Sequence, residues 1–308
     1  MTAAAVEKPA HPALKYLLLA CLGLIWGTSF TFVGVAVHTV PPFTIASSRI
    51  ILGGGILLTL ALLARQPFPR RAEDWLFVTG YAVIGNAGPF CLLAFGQSHI
   101  DSSLAAILIA ATPLFTLVIA HVMTVDEKIS VRKGVGVAVG FVGILLLFGP
   151  AALGGLGADF WGQAMILGAS LGFGISTVLA RRLRHIPPMI MASSSLLIAG
   201  LFVIPLMLAL EQPWRLSPSW DAVVSLGGLS IFSTACALII FFKLIKLAGA
   251  NFTALNNYMA PAVGVLWGTA LLGEKLTWLK IGAIAVIFVG IGISGLRPRT
   301  RPTTPPAG

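Results

Sequence analysis

Three polar residues in an oily run, Asn256, Asn257 and Tyr258, pose the functional question of this chain. The run covers residues 251–271, and ~20 residues rising ~1.5 Å each match a ~30 Å hydrocarbon layer. Pro261 follows Asn257 by one helical turn. Proline has no N–H, so the carbonyl of Asn257 loses its helical donor and is free to meet another group. Amides, a phenol and a freed carbonyl offer hydrogen bonds rather than nucleophiles. The chemistry they suit is recognition of a polar solute in apolar surroundings.

Other polar interruptions follow the same logic. Thr112-Pro113 breaks the run 103–125 and frees the carbonyl of Ile109, while Gly85-Asn86-Ala87-Gly88-Pro89 breaks 75–97 and frees that of Gly85. Ser233-Thr234-Ala235-Cys236 interrupts 221–245 without a proline. In 15–37, Trp26 and Ser29 stand in Ile25-Trp26-Gly27-Thr28-Ser29-Phe30, where small and hydroxyl residues suit either close helix packing or the wall of a cavity. Arg49 is the clear charge inside a run, with two readings. Its side chain either snorkels or binds helix carbonyls as an anchor, or it contacts an anionic group of the solute.

Ten apolar runs must position these residues: 15–37, 43–64, 75–97, 103–125, 132–149, 160–180, 188–210, 221–245, 251–271 and 276–296. The composition agrees, being 57% hydrophobic and only 10% charged, with mean hydropathy +0.96. Soluble domains carry about 25% charged residues. The expected fold is an all-α polytopic membrane protein. Its ten spans form a repeat: setting Pro261 over Pro113 brings Glu127-Lys128 onto Glu274-Lys275, Lys133 onto Lys280, and Phe141-Val142-Gly143-Ile144 onto Phe288-Val289-Gly290-Ile291 after one deletion. Pro41-Pro42 and Pro187-Pro188 start spans two and seven and extend the repeat.

Five spans per unit is odd, so the second unit enters the membrane inverted, as in secondary transporters whose site lies at the midplane where the units meet. The basic residues set the orientation. All but Arg215, Lys275, Lys280 and Arg49 of the 20 Lys and Arg fall on one side, which places both termini in the cytoplasm. The +10 net charge is therefore a topology signal and not a nucleic-acid surface. The expected organisation is a disordered tail 1–14, a first unit 15–149, an extracytoplasmic linker 150–159, a second unit 160–296 and a disordered basic tail 297–308.

Glu127-Lys128 and Glu274-Lys275 sit in turns, where a carboxylate favours the positive end of the next helix. Spans five and ten carry Gly136, Gly140, Gly143 and Gly282, Gly290, Gly292, a pattern for close crossings within the bundle or across a homodimer. Cys21, Cys91 and Cys236 lie in apolar runs with no metal-ligand spacing. His99 and His121 fall near span ends, and all ten acidic residues lie in tails, loops or span ends. No nucleophile-and-base or metal constellation emerges, so the expectation is not an enzyme and has no cofactor. A non-transport membrane scaffold is the alternative from another class.

Two five-span copies, each with a mid-helix proline in its fourth span, a Glu-Lys turn and a glycine-rich last span, resemble the EamA domains of the drug/metabolite transporter superfamily. Trp26-Gly27 and Arg49 fit the same pattern, whereas Ser195 stands where the first copy has Arg49. The resemblance implies a multi-pass carrier of the bacterial inner membrane that exports amino acids or other small metabolites. It implies a central cavity walled by spans three, four, eight and nine with one and six. The candidate solute contacts are accordingly Asn256, Asn257, Tyr258, Pro261, Pro113, Thr112, Asn86, Trp26, Ser29 and Thr234, with Arg49 as an anion contact.

Overall fold

The computed structural model describes residues 12–295 apart from 124–129, 154–157, 249 and 254. Its elements are helical: α1 Pro12–Ala36, α2 Pro42–Leu63, α3 Ala72–Tyr81, α4 Gly88–Gln97, α5 Ser102–Ile109, α6 Thr112–Met123 and α7 Val131–Leu153. The second half follows with α8 Ala158–Leu179, α9 Pro188–Leu206, α10 Trp220–Ser230, α11 Ala237–Ala248, α12 Ala250–Thr253, α13 Asn256–Leu271 and α14 Trp278–Gly295. Among the described residues, seven helical stretches are long and apolar enough to cross a membrane, and Met259–Leu271 and Trp278–Ile293 are shorter apolar helices. Leu63, Leu201, Val131 and Trp278 are among many large apolar side chains left exposed, the outer surface of a bundle solvated by lipid.

Local chemistry sets the helix ends. Pro42 and Pro188 occupy the first turns of α2 and α9, where a missing N–H costs nothing. Arg65 and Gln212 adopt positive φ beyond the ends of the second and seventh spans, so the repeat extends to how those helices stop. Several boundaries differ from the sequence expectation. The first helix begins at Pro12, inside the tail assigned to 1–14, and α7 runs to Leu153, into the expected linker. The rest of both tails, and the Glu127-Lys128 turn, lie outside the described residues.

The most extensive helix seams all join one half to the other: α7 to α14, α2 to α9, α1 to α13, and α8 to both α4 and α6. The halves are therefore not separate domains, because each buries its apolar faces against its counterpart. Glycine allows the closest of these approaches. A Cβ on Gly27 would sit 2.8 Å from the Ala260 carbonyl, and one on Gly290 would run into the backbone of Gly136 and Gly140. Gly143 and Gly290 thus bring α7 and α14 together within the chain and Gly140 also lies against Leu114 of α6, while among the described residues nothing lies within 4 Å of a Cβ on Gly282 or Gly292.

One end of the bundle gathers the end of α1 and the starts of α2, α5, α10 and α14. Thr39 meets Ser219 at 3.3 Å, Phe43 packs on Phe95, and Lys280 binds Asp101 at 2.8 Å. Because α1 finishes and α14 begins here, Pro12 and Gly295 lie at the opposite end. Two carboxylates close the former end, called distal below. Glu211 accepts the backbone N–H of Phe43 and of Thr44 at 2.8 and 2.6 Å and the Thr44 hydroxyl at 2.7 Å. Glu274 accepts the N–H of Ser102 and of Ser103 at 2.8 and 2.7 Å. Each carboxylate from the second half thereby satisfies orphan donors at a helix start of the first, where the helix dipole also favours it.

Candidate functional site

The third span widens just before Pro89. Ala82–Ala87 forms a π turn, and the N–H of Gly88 reaches back five residues to the Val83 carbonyl. Pro89 cannot donate, and the wider register absorbs the missing bond. The eighth span widens at the matching place, Ile231–Cys236, where the Ala237 N–H bonds the Phe232 carbonyl. No proline is needed there, since the Thr234 hydroxyl donates to the Leu229 carbonyl five residues back at 3.0 Å. Such turns are often found at functional sites because they aim side chains that a regular helix would not.

Each widened turn makes a side-chain to side-chain hydrogen bond across the seam between halves. Arg49 Nε donates to Thr234 Oγ1 at 3.3 Å, and Asn86 Nδ2 donates to Ser195 Oγ at 3.0 Å. Ser195 passes its own proton to the Ala192 carbonyl at 3.1 Å, so both hydroxyls are held as acceptors. Phe90 lies over the Arg49 guanidinium, 3.9 Å from ring centroid to Cζ, and turns its edge toward Phe173. The arginine is 8% exposed.

No carboxylate neutralises it among the described residues. Glu211 and Glu274 cap helices at the distal end, Asp101 pairs with Lys280, and Asp74 lies 3.0 Å from His185. Glu73, Asp159 and Asp221 stand in first helical turns. The anchor of Arg49 takes a form that the sequence did not indicate. The side chain neither snorkels to a span end nor binds a helix carbonyl, but holds a threonine hydroxyl and an aromatic face.

The structure thus brings Arg49, Asn86 and Thr234 to one place, and adds Phe90 and Ser195. Trp26 borders it, donating from Nε1 to the Ser233 carbonyl at 3.2 Å and packing on Phe241, while the Ser233 hydroxyl returns a bond to the Ile25 carbonyl. Ser29 only bonds the Trp26 carbonyl. Thr112 stands elsewhere, between α6 and α8. It shares a 2.9 Å contact with Ser170 and donates to the Ile109 carbonyl at 2.8 Å. That carbonyl was expected to be free, and the correction has a simple cause: the threonine beside Pro113 supplies the proton that proline lacks.

Among the described residues the two proline-bearing helices have different principal neighbours. Pro113 rides on α6, which lies on α8, and Pro261 on α13, which lies on α1 and α5. Asn256 is 3% exposed beside Gly23 of α1, with its Oδ1 unpartnered. Asn257 is exposed, and the side chain of Tyr258 lies outside the described residues. Phe90 and Glu211 are the participants that sequence reasoning passed over, and Ser195 was noted only as the neutral counterpart of Arg49. Only Glu211 left a signal, an acid at the end of an apolar run that precedes a turn.

Against known proteins, the model of the EamA-like transporter family matches residues 13–149 and again 160–296. An uncharacterized inner membrane transporter of Escherichia coli K12, YedA, is 30% identical over 89% of this chain and 90% of its own length. An uncharacterized transporter of Bacillus subtilis, YoaV, is 24% identical over 87% and 92%. A solved crystal structure superposes with a TM-score of 0.65 at 16% identity, over 92% of this chain and 98% of that one, and so shares the fold.

Proposed function

The chain belongs to the EamA-like transporter family, and from that premise we propose that it moves a small, amino-acid-like metabolite outward across a bacterial inner membrane by alternating access. The observation that carries this reading is the pair of cross-half bonds, Arg49 to Thr234 and Asn86 to Ser195, at widened turns in the middle of their spans. Polar groups cost free energy in a membrane interior, and here they gather at the seam along which the two halves would rock. Ten spans in two inverted units, 15–149 and 160–296, supply that seam.

The distribution of basic residues supports a cytoplasmic location for both termini, which puts the distal end outside. The Glu211 and Glu274 clasps then hold the outer side shut, and releasing them is the outward-opening step. Asn256, Asn257, Tyr258, Thr112, Ser29 and Trp26, with the turns at Pro113 and Pro261, are the further solute contacts we assign along the path. With every acid of the sequence at a span end or beyond, the carrier works as a facilitator or exchanger. A homodimer through spans five and ten would use the Gly282 and Gly292 surface, since the other glycines face α7 and α14 inward.

Proteoliposomes loaded with candidate metabolites test the reading. Counterflow of at least one small solute is expected, with Asn86→Ala, Asn257→Ala and Tyr258→Ala reducing it while insertion and folding persist. Absence of any solute flux through well-folded protein would mark a scaffold instead.

A further inference from the structure

We propose that Arg49 is a recognition point for carboxylate and that the solute is an organic monoanion with an apolar remainder. The inference rests on the transport reading and names its substrate class. Arg49 lies seven residues into α2 from Pro42, ~10 Å along the helix axis at ~1.5 Å per residue. Its Nε is held by Thr234 and one face of its plane by Phe90 at 3.9 Å. Those two contacts fix the plane of the guanidinium and leave one edge, the pair of Nη groups. Neither Nη is sealed, and neither has a partner among the described residues. Two parallel N–H donors on a fixed plane are the geometry that a carboxylate accepts in bidentate fashion.

Charge selects further. A guanidinium in a membrane interior needs a counter-charge, and a hydroxyl with an aromatic face moderates its charge without cancelling it. Every acid in the described residues is engaged or stands at a helix start toward a bundle end, as set out above. A bound monoanion brings the site to neutrality. A zwitterion leaves the positive charge uncompensated, an organic cation adds to it, and a dianion leaves a negative one. Among amino-acid-like solutes the site therefore favours those whose amino group is absent or capped, such as 2-oxo, 2-hydroxy or N-acyl acids. Phe90, edge-on to Phe173, offers an apolar wall for the remainder.

The experiment uses purified full-length protein and follows thermal unfolding with matched probes: straight and branched monocarboxylates from acetate to hexanoate, benzoate, and their 2-oxo and 2-hydroxy derivatives. The corresponding amides, amines and zwitterionic amino acids, together with sodium chloride at equal ionic strength, complete the set. Concentration-dependent stabilisation by at least one carboxylate is expected, at least tenfold weaker for its amide or amino acid and absent for its amine. Arg49→Gln should abolish it and Arg49→Lys weaken it at least tenfold, since one ammonium cannot bind bidentately. If Arg49→Gln does not fold, Phe90→Leu keeps the charge and should weaken binding several-fold. Equal stabilisation by amides, amines or chloride, unchanged carboxylate binding in both Arg49→Lys and Phe90→Leu, or no response to any carboxylate would each overturn the inference. A neutral or cationic solute carried equally by wild type and Arg49→Lys would overturn it while leaving transport intact, whereas absence of all flux would remove the transport reading itself.

Discussion

The two halves make the same hydrogen bond twice and put different chemistry into it. In one copy the donor is Arg49 and the acceptor the widened turn at Thr234; in the other the widened turn donates, from Asn86, and Ser195 accepts. The backbone repeats, down to two π turns and two positive-φ residues closing spans two and seven. The charge does not repeat. On the proposed reading, inverted symmetry lets both halves exchange roles during rocking, while a small asymmetric solute is best gripped by one charged donor on one side; the repeated scaffold suits the first requirement and the unlike side chains the second.

Making the halves alike should do the most damage. Ser195→Arg would place a second unpaired cation in the seam beside Asn86, and we expect a loss of about 3 kcal/mol or more, read as a large fall in thermal stability or failure to accumulate. Thr234→Val removes the acceptor of a charged donor and should cost about 2 kcal/mol. Its counterpart Ser195→Ala removes the acceptor of a neutral one and should cost about 1 kcal/mol. Equal losses for the two would show that the charge at Arg49 plays no part in the asymmetry.

Between these two lie the clasps. Glu211→Ala and Glu274→Ala each strip a helix start of its cap, worth about 1–1.5 kcal/mol. Glu211 should be the costlier because it also holds the Thr44 hydroxyl. Accessibility of a cysteine placed at Gly34, packed between Ser102 and Leu272, should rise in both variants toward a reagent added from the distal side. The smallest effect belongs to Gly282→Ala, within about 0.5 kcal/mol, because nothing lies within 4 Å of the added methyl. A marked loss in lipid, but not in dilute detergent, would reveal a neighbour at that surface.

Much of this was legible in the chain itself. Paired prolines, matched glycines and polar breaks near Asn86 and Thr234 give the repeat and its weak points, since those residues act on their own backbone. What the sequence could not convey is which way a side chain turns beyond a break. A π turn inserts one residue, which rotates the following helix face by about 100° at 3.6 residues per turn. Phe90 therefore reaches Arg49 although no periodicity links them. Asn256 illustrates the other limit: its polarity was plain, but its neighbour is Gly23 of α1 and not the turn at Pro113. The Ile109 carbonyl was misjudged for a still more local reason, because the Thr112 hydroxyl donates to it from within the same turn.

Because the principal seams run between halves, a chain leaving the ribosome meets a waiting period. With only the first half delivered, Arg49 has no threonine to hold, Asn86 no serine, and the starts of α2 and α5 no carboxylate. The nascent first half must sit in lipid incompletely matched until its sibling arrives. By the same reasoning, a cut after Leu153 and before Ala158 divides the polypeptide between α7 and α8, and two co-expressed fragments should find each other and rebuild one carrier.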